Sequence, residues 1–592
     1  MTLNILNKIN EPKDLKSLSR EELNLLSSEI RDVLIKRVST TGGHFGPNLG
    51  MVEATIALHY VFNSPVDKFV YDVSHQSYVH KMLTGRKEAY INPEKFKTVT
   101  GYTEPKESEH DFFTIGHTST SISLACGLAK GRDAVGSNEN IIAIIGDGSL
   151  SGGEAYEGLN NAAASNKNII ILVNDNDISI AENHGGLYKN LAQLRESEGK
   201  LDNNFFKSLG FEYHFVKDGN NLESLIETFE KVKDTTRPVV VHMHTIKGKG
   251  YEDAENNKES FHWVMPFDLE TKEPLFKGEY VKSYGDITED FLIEKAKKDK
   301  SIVAITAATP GIVGVNRFRS ELQDQYVDVG IAEEHAIALA SGMAKRGAKP
   351  VAAFLSSFIQ RTYDQLSQDL AINNNPATII VYWGGISGSD VTHLGLFDIP
   401  LISNIPNMVY LAPTTKEEHL AMVDWAIEQD KHPVAIRVPN MEVVSTGVAV
   451  EANFDELNKY VMVEEGKDVA IIGLGSFFHL GKKVQKRLRN TGINATLINP
   501  RFITGVDEDL LNELKENHKV VITLEDGILD GGFGEKISRF YGNSQMRVLN
   551  FGATKEFTDS VELDVLYERY HLTEELIVED IEKVLADIKV FA

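Results

Sequence analysis

Ile141-Ile142-Ala143-Ile144-Ile145-Gly146-Asp147-Gly148, followed after a helix-like run by Ile169-Ile170-Ile171-Leu172-Val173-Asn174-Asp175-Asn176, is the stretch that decides the fold. Each half is an apolar run ending on a polar turn. Such branched aliphatic runs read as strands covered on both faces, the habit of parallel sheets. Ser151 to Ala162 reads as a helix, so the stretch is a strand–loop–helix–strand unit. Asp147 and Asn176, 29 positions apart, then place oxygen donors past the carboxyl ends of the strands. Open α/β sheets take their ligands there. Carboxylate and amide oxygens suit Mg²⁺ and its phosphate partners. Gly146 and Gly148 let the backbone approach a diphosphate, and the N-terminus of the following helix favours anions.

The chain outside this stretch repeats the alternation. Its 592 residues predict several domains, and 42% apolar residues is ordinary for a globular protein. A net charge of −25 argues against nucleic acid and against an anionic membrane surface. Residues 1–36 are charged throughout, with no leader pattern, and no run of about 20 apolar residues occurs. The expectation is a cytoplasmic protein. The single cysteine, Cys126, sits among apolar neighbours and excludes an intrachain disulfide.

Three α/β segments are expected: 1–282, 283–451 and 452–592. In the first, Ser19-Arg20-Glu21-Glu22 is a capping-box start for a helix to Val38, and Val239–Met243 reads as a buried strand. The Gly-, Pro- and charge-rich stretch from Lys249 to Tyr284 lacks periodicity and reads as a crossover between domains. The second segment offers strands at Ile302–Thr306, Val351–Phe354, Ala377–Val381 and Met408–Leu411. The third offers Val469–Ile472, Ala495–Ile498, Val520–Thr523 and Val548–Asn550. Strands alternating with helices predict doubly wound parallel sheets.

GDG and NDN together resemble the thiamine diphosphate signature. Further motifs narrow the resemblance: Gly42-Gly43-His44-Phe45-Gly46-Pro47-Asn48, Asp72-Val73-Ser74-His75-Gln76, Gly116-His117-Thr118-Ser119, Ile331-Ala332-Glu333-Glu334-His335, and Phe358-Ile359-Gln360-Arg361-Thr362-Tyr363-Asp364-Gln365. In this order, over nearly the whole chain, they are similar to the 1-deoxy-D-xylulose-5-phosphate synthase family of transketolase-like enzymes. The resemblance implies three doubly wound parallel-sheet domains of transketolase-like architecture: a diphosphate- and Mg-binding domain, a pyrimidine-binding domain and a C-terminal domain. It implies a homodimer that uses thiamine diphosphate and Mg²⁺. It implies a transferase of aldehyde or ketone residues, decarboxylating a 2-oxo acid such as pyruvate and joining the two-carbon unit to an aldehyde. The family's acceptor is glyceraldehyde 3-phosphate, and its product feeds isoprenoid and cofactor synthesis.

Carried over residue by residue, the resemblance assigns Asp147, Asn176 and Ile178 to the metal. It assigns His75, His117, Gly146, Gly148, Ser149, Asn176, Lys249, Glu333 and Phe358 to the cofactor. Glu333 would contact the aminopyrimidine and shuttle its proton, and Phe358 would stack on that ring. His44, His262 and His393 join Glu333 as catalytic residues, since neutral imidazoles suit proton transfer near pH 7. Arg361, Asp390, Trp383 and Asn440 fall at substrate positions. Trp383 and Asn440 stand where the family has phosphate-gripping arginines, and Leu355 where it has a tyrosine. These departures point to an acceptor that lacks phosphate or is less polar, or to one held in another way. The segment after Asn183 is also shorter than the family's covering region. Ketol transfer between sugars, of the transketolase type, and a catalytically idle cofactor-binding protein are the alternatives.

Overall fold

The computed structural model describes residues 3–591 apart from 166, 277, 279, 280, 440 and 451–453, with side chains through 588. The chain forms two compact units, Met1–Tyr280 with Gly330–Ala332, and Val281–Val329 with Glu333–Ala592.

The first unit is built on a five-stranded sheet in the order Lys68–Tyr71, Ile141–Gly146, Ile170–Asp175, Val239–His244, Glu212–Val216. Every pairing is parallel. The Ile141–Ile145 and Ile169–Val173 runs are buried on both faces, which is why they show no polar alternation. Gly146 pairs with Asn174, so the GDG and NDN turns leave neighbouring strands at one carboxyl edge. The expected capping box is present: Ser19 and Glu22 cap the helix Arg20–Thr41. Gly42, at φ +73, ends that helix, and a Cβ there would lie 2.8 Å from the Val264 carbonyl. Only glycine lets the chain turn so tightly into His44.

The Lys249–Tyr284 expectation needs correction. Part of this stretch folds back onto the first unit. Residues Glu252–Asn256 form a helix, and Trp263–Val264 pairs antiparallel with Gly43–His44. The stretch is held by aromatic contacts among Phe45, Tyr251, Phe261 and Phe267 rather than by an apolar face, so it leaves no periodicity in the sequence.

The second unit carries two sheets. One is six-stranded and wholly parallel, in the order Val409–Leu411, Val434–Pro439, Thr378–Gly384, Lys349–Leu355, Ile302–Thr306, Tyr326–Asp328. The other runs Val461–Glu464, Thr496–Asn499, Asp468–Gly473, His518–Ile528, Arg547–Ala553. Its Val461–Glu464 edge strand is antiparallel, an exception to the parallel expectation. Tyr460-Val461-Met462-Val463 is a short apolar run that the sequence reading passed over, and the strand it forms is only partly covered. No helix among the described residues is long and apolar enough to cross a membrane.

Candidate active site

In the first unit a cavity opens at the carboxyl edge of the sheet. Its walls include Gly146, Asp147, Gly148, Ser149, Asn174, Asn176, Ile178, Ser179, His75, Thr118, Lys247 and His262. The GDG and NDN residues thus share one cavity with two of the predicted histidines. A Cβ built on Gly146 meets nothing within 4 Å, so the missing side chain leaves open space on the cavity wall. Gly148 is needed for a different reason: a Cβ there would lie 2.4 Å from the Ser179 Cβ.

The donor set fits a hard cation. Asn176 is buried, and its Oδ1 has no hydrogen-bond partner among the described residues. A buried amide oxygen left without a partner is costly unless a ligand satisfies it. Asp147 is 2% exposed. Burial, helped by the nearby charge of Asp175, pushes its carboxyl up to about 7, although Asn183 and Lys247 pull it down. A divalent cation would reverse that shift. Among the described residues there is no cluster of three or more His, Cys, Asp or Glu side chains able to hold a metal. One carboxylate completed by amide and carbonyl oxygens is nevertheless an ordinary Mg²⁺ donor set.

Three imidazoles converge here. Ring centroids lie 4.8 Å apart for His44 and His75, 5.2 Å for His75 and His262, and 5.6 Å for His44 and His262. Burial, then the charges of Lys247, His75 and His44, lower His262 well below its ordinary range, so it is neutral at pH 7. Asn48 fixes two of these loops. Its Nδ2 donates to the carbonyls of His44 (2.9 Å) and His75 (2.8 Å), while its Oδ1 accepts from the Tyr78 amide (3.0 Å). The His75 loop is strained, with Val73 at φ +57 and Ser74 at +66. A β-branched residue in the left-handed region persists only where its surroundings over-determine it. The surroundings here include Asp72, whose buried carboxylate accepts from the amides of Ser119 (2.8 Å) and Ser121 (2.9 Å). Asp72 thereby joins the His75 loop to the loop that follows His117.

The cation beside the GDG turn is Lys247. Lys249 is not among the residues lining the cavity; Lys247 is. Lys247 Nζ donates to the Ser179 carbonyl at 2.6 Å and lies 3.0 Å from His262 Nδ1. Two lysines two residues apart in Lys247-Gly248-Lys249-Gly250 cannot be told apart by pattern, because the turn at Gly248, φ +86, decides which points inward. Asn48, Asp72 and Lys247 were all missed by sequence reasoning. Each carried a weak signal as a polar residue inside or beside a motif.

In the second unit, Glu333 begins the helix Glu333–Lys345 and is buried. Burial raises its carboxyl above the ordinary range, and the Arg361 charge offsets this in part. Arg361 Nη1 is 3.7 Å from Glu333 Oε2, an atom with no hydrogen-bond partner among the described residues. Phe358 meets His393 edge-on at 5.6 Å. His393 Nδ1 lies 3.2 Å from Asp390 Oδ1. Burial raises the Asp390 carboxyl, but His393 and Thr392 together bring it below its ordinary value. The structure therefore groups Glu333 with Arg361, and Phe358 with His393 and Asp390.

Trp383 sits at φ +59 in a bulge of the Thr378–Gly384 strand, 45% exposed. Asn440 lies outside the described residues. Arg437, on the neighbouring strand, is 3% exposed; its Nε donates to Asp398 at 2.6 Å and its Nη1 to Asp526. A cavity of about 430 Å³ opens beside Gly384–Ile386 and Pro439. Its walls mix apolar side chains, including Phe477, Leu480, Leu563 and Tyr567, with the basic Lys483 and His479 and the acidic Asp526, Glu574 and Glu575.

Comparison with known proteins places these sites in context. Residues 6–202 and 198–245 match the family model described as 1-deoxy-D-xylulose-5-phosphate synthase. Residues 282–444 match the transketolase pyrimidine-binding domain, and 458–577 the transketolase C-terminal domain. The chain is 39% identical to the 1-deoxy-D-xylulose-5-phosphate synthase of Halothermothrix orenii, over 97% of this chain and 96% of that one. It is 40% identical to that of Natranaerobius thermophilus, over 90% of each. Among solved structures it is similar to transketolase from Campylobacter jejuni, at 17% identity over 98% of this chain and 100% of that one, with a TM-score of 0.45.

Proposed function

This chain belongs to the 1-deoxy-D-xylulose-5-phosphate synthase family, and from that premise we propose that it is a thiamine diphosphate- and Mg²⁺-dependent carboligase. It decarboxylates pyruvate and joins the two-carbon unit to an aldehyde. The observation that carries this reading is the pairing of Gly146 with Asn174, which sets Asp147 and Asn176 around one cavity with His75, His262 and Lys247.

Asp147, Asn176 and Ile178 would hold the cation, and Gly146, Gly148 and Ser149 would admit the diphosphate. Lys247 sets its ammonium against the phosphate charge. Thiamine diphosphate, when bound, supplies the electron sink for decarboxylation. Glu333, its carboxyl raised by burial, would exchange a proton with the aminopyrimidine. Phe358 covers that ring. His262 stays neutral and accepts a proton at Nε2, since Nδ1 faces the Lys247 ammonium. His44 and His75 lie beside it, their ring centroids 5.6 Å and 5.2 Å from that of His262. His393, oriented by Asp390, serves the acceptor side.

The acceptor reading rests on Arg437 and Trp383. Arg437 is neutralised by Asp398 and Asp526 and is not available to a phosphate. The neighbouring cavity carries three carboxylates, Asp526, Glu574 and Glu575, against two basic side chains, which disfavours a phosphate. An unphosphorylated aldehyde fits these walls better than glyceraldehyde 3-phosphate. The protein acts as a homodimer, as the family resemblance implies; sedimentation at micromolar concentration checks this. The acceptor reading is tested by turnover with pyruvate and glyceraldehyde 3-phosphate against a panel of unphosphorylated aldehydes. A kcat/KM higher for an unphosphorylated aldehyde supports it, and efficient turnover with the phosphorylated one alone overturns it.

A further inference from the structure

We propose that the Gly186–Glu196 helix is a clamp on the metal site, with Tyr188 and Arg195 as its positioning residues. The inference rests on the metal and diphosphate reading above. Tyr188 and Arg195 are seven residues apart, so they lie on one face of the helix two turns from each other. Each end of that face grips one of the two motif loops. Tyr188 Oη donates to the carbonyls of Asp147 and Gly148, both at 3.2 Å. Arg195 Nη1 donates to both carboxylate oxygens of Asp175 at 2.8 Å, and its Nη2 to Asp177 at 2.5 Å.

Asp175 is the middle residue of the NDN motif, and its bonds explain what it does. It is fully buried, and besides Arg195 it accepts from His242 Nε2 at 2.8 Å. Both of its oxygens are committed away from the cavity, so it is an anchor rather than a metal donor. Asn174 and Asn176 line the cavity, whereas Asp175 between them does not. Fixing Asp175 therefore fixes the direction in which Asn176 presents its unpartnered Oδ1. The next residue, Asp177, is left-handed at φ +67, a sharp bend for a residue with a side chain. Arg195 holds both sides of that bend. A third tie comes from the segment leading into the helix, where Asn183 Nδ2 donates to Asp147 Oδ2 at 2.8 Å and orients the carboxylate. The short segment after the NDN motif is thus bonded to every loop that carries a proposed metal donor.

Partners that orient metal ligands typically change affinity about 10- to 100-fold when removed. The test is Mn²⁺ titration of the whole protein with thiamine diphosphate, reading free Mn²⁺ by electron paramagnetic resonance. Thermal unfolding without metal is read alongside. The inference predicts that Arg195→Ala weakens Mn²⁺ about 10- to 100-fold. Arg195→Lys recovers only part of the loss, because an ammonium cannot make the two-pronged contact. Tyr188→Phe weakens Mn²⁺ several-fold while its metal-free unfolding temperature stays at the wild-type value. If Arg195→Ala does not fold, Arg195→Lys and Tyr188→Phe decide the matter. Mn²⁺ affinities within about twofold of wild type in both would overturn the clamp. A wild-type protein that takes up no Mn²⁺ would overturn the metal reading itself, and the clamp with it.

Discussion

Replacing Lys247 by Met, beside a Lys249→Met control, separates the cation the structure puts in the cavity from the one the motif suggested. Lys247 is 2% exposed, and its Nζ lies 2.6 Å from the Ser179 carbonyl on the same wall as Gly146 and Gly148. A charge-assisted contact to phosphate contributes about 1.5–3 kcal/mol. Losing it raises the Kd for thiamine diphosphate about 10- to 150-fold. Lys249 lines no part of that cavity, and its backbone carbonyl, not its ammonium, accepts from Arg31 at 2.7 Å. Lys249→Met therefore changes Kd by less than about twofold. The pH dependence gives a second signature. Burial pushes Lys247 down to about 7, and the Asp147 charge restores only part of this. Below pH 7 the empty site holds an ammonium; at pH 8 it holds mostly an amine. A diphosphate selects the charged form, so binding at pH 8 takes up a proton, and affinity falls as pH rises through the window above 7. Isothermal titration calorimetry at pH 8 in two buffers of different ionisation enthalpy reads that proton directly. The reasoning is refuted if Lys249→Met loses more affinity than Lys247→Met, or if Lys247→Met keeps the wild-type proton uptake.

Four further outcomes are expected. Asn48→Ala removes the amide that ties the His44 and His75 carbonyls to the Tyr78 amide. At about 1 kcal/mol per bond and more for the orphaned carbonyls, it lowers stability by about 3 kcal/mol, read by thermal unfolding, and kcat about 10²-fold. Glu333→Gln keeps the shape but cannot exchange a proton. CO₂ release falls about 10²- to 10⁴-fold while cofactor Kd stays within a few-fold, and comparable losses in both would contradict its role. Gly148→Ala forces a Cβ to 2.4 Å from that of Ser179, so the loop must move; cofactor Kd rises about tenfold by calorimetry. Arg437→Met strips a buried cation from Asp398 and Asp526 and destabilises the fold by about 3–5 kcal/mol in denaturant titration. The ratio of kcat/KM between phosphorylated and unphosphorylated aldehydes stays unchanged, which separates this arginine from substrate recognition.

What was legible in the sequence is what local patterns encode. The Ile141–Ile145 and Ile169–Val173 runs announced central parallel strands because burial on both faces leaves no room for polar alternation. The Ser19–Glu22 capping box announced its helix because both capping bonds span only three residues. Edge elements were harder to read: Val461–Glu464 is short and only partly covered, and Trp263–Val264 is held by pairing with Gly43–His44, about 220 residues earlier in the chain. At the site, Asp147 could be named from its glycine-bounded turn and Asn176 from the polar end of its apolar strand, whereas His75 and His262 were named only through the family resemblance. Their supports could not be named. Asp175–Arg195 and Asp175–His242 are pairs separated by 20 and 67 residues, which no spacing rule connects. Only the fold brings Asp398 and Asp526, 39 and 89 residues away, against Arg437.

The central claim, decarboxylation followed by carboligation, is tested most directly with pyruvate labelled with ¹³C at C1 and C2. The purified protein is supplied with thiamine diphosphate, Mg²⁺ and an aldehyde acceptor. Labelled CO₂ that depends on both cofactors, with the C2 label in a ketose two carbons longer than the acceptor, is the predicted result. A two-carbon unit moved from a ketose donor with no labelled CO₂ from pyruvate would contradict the account.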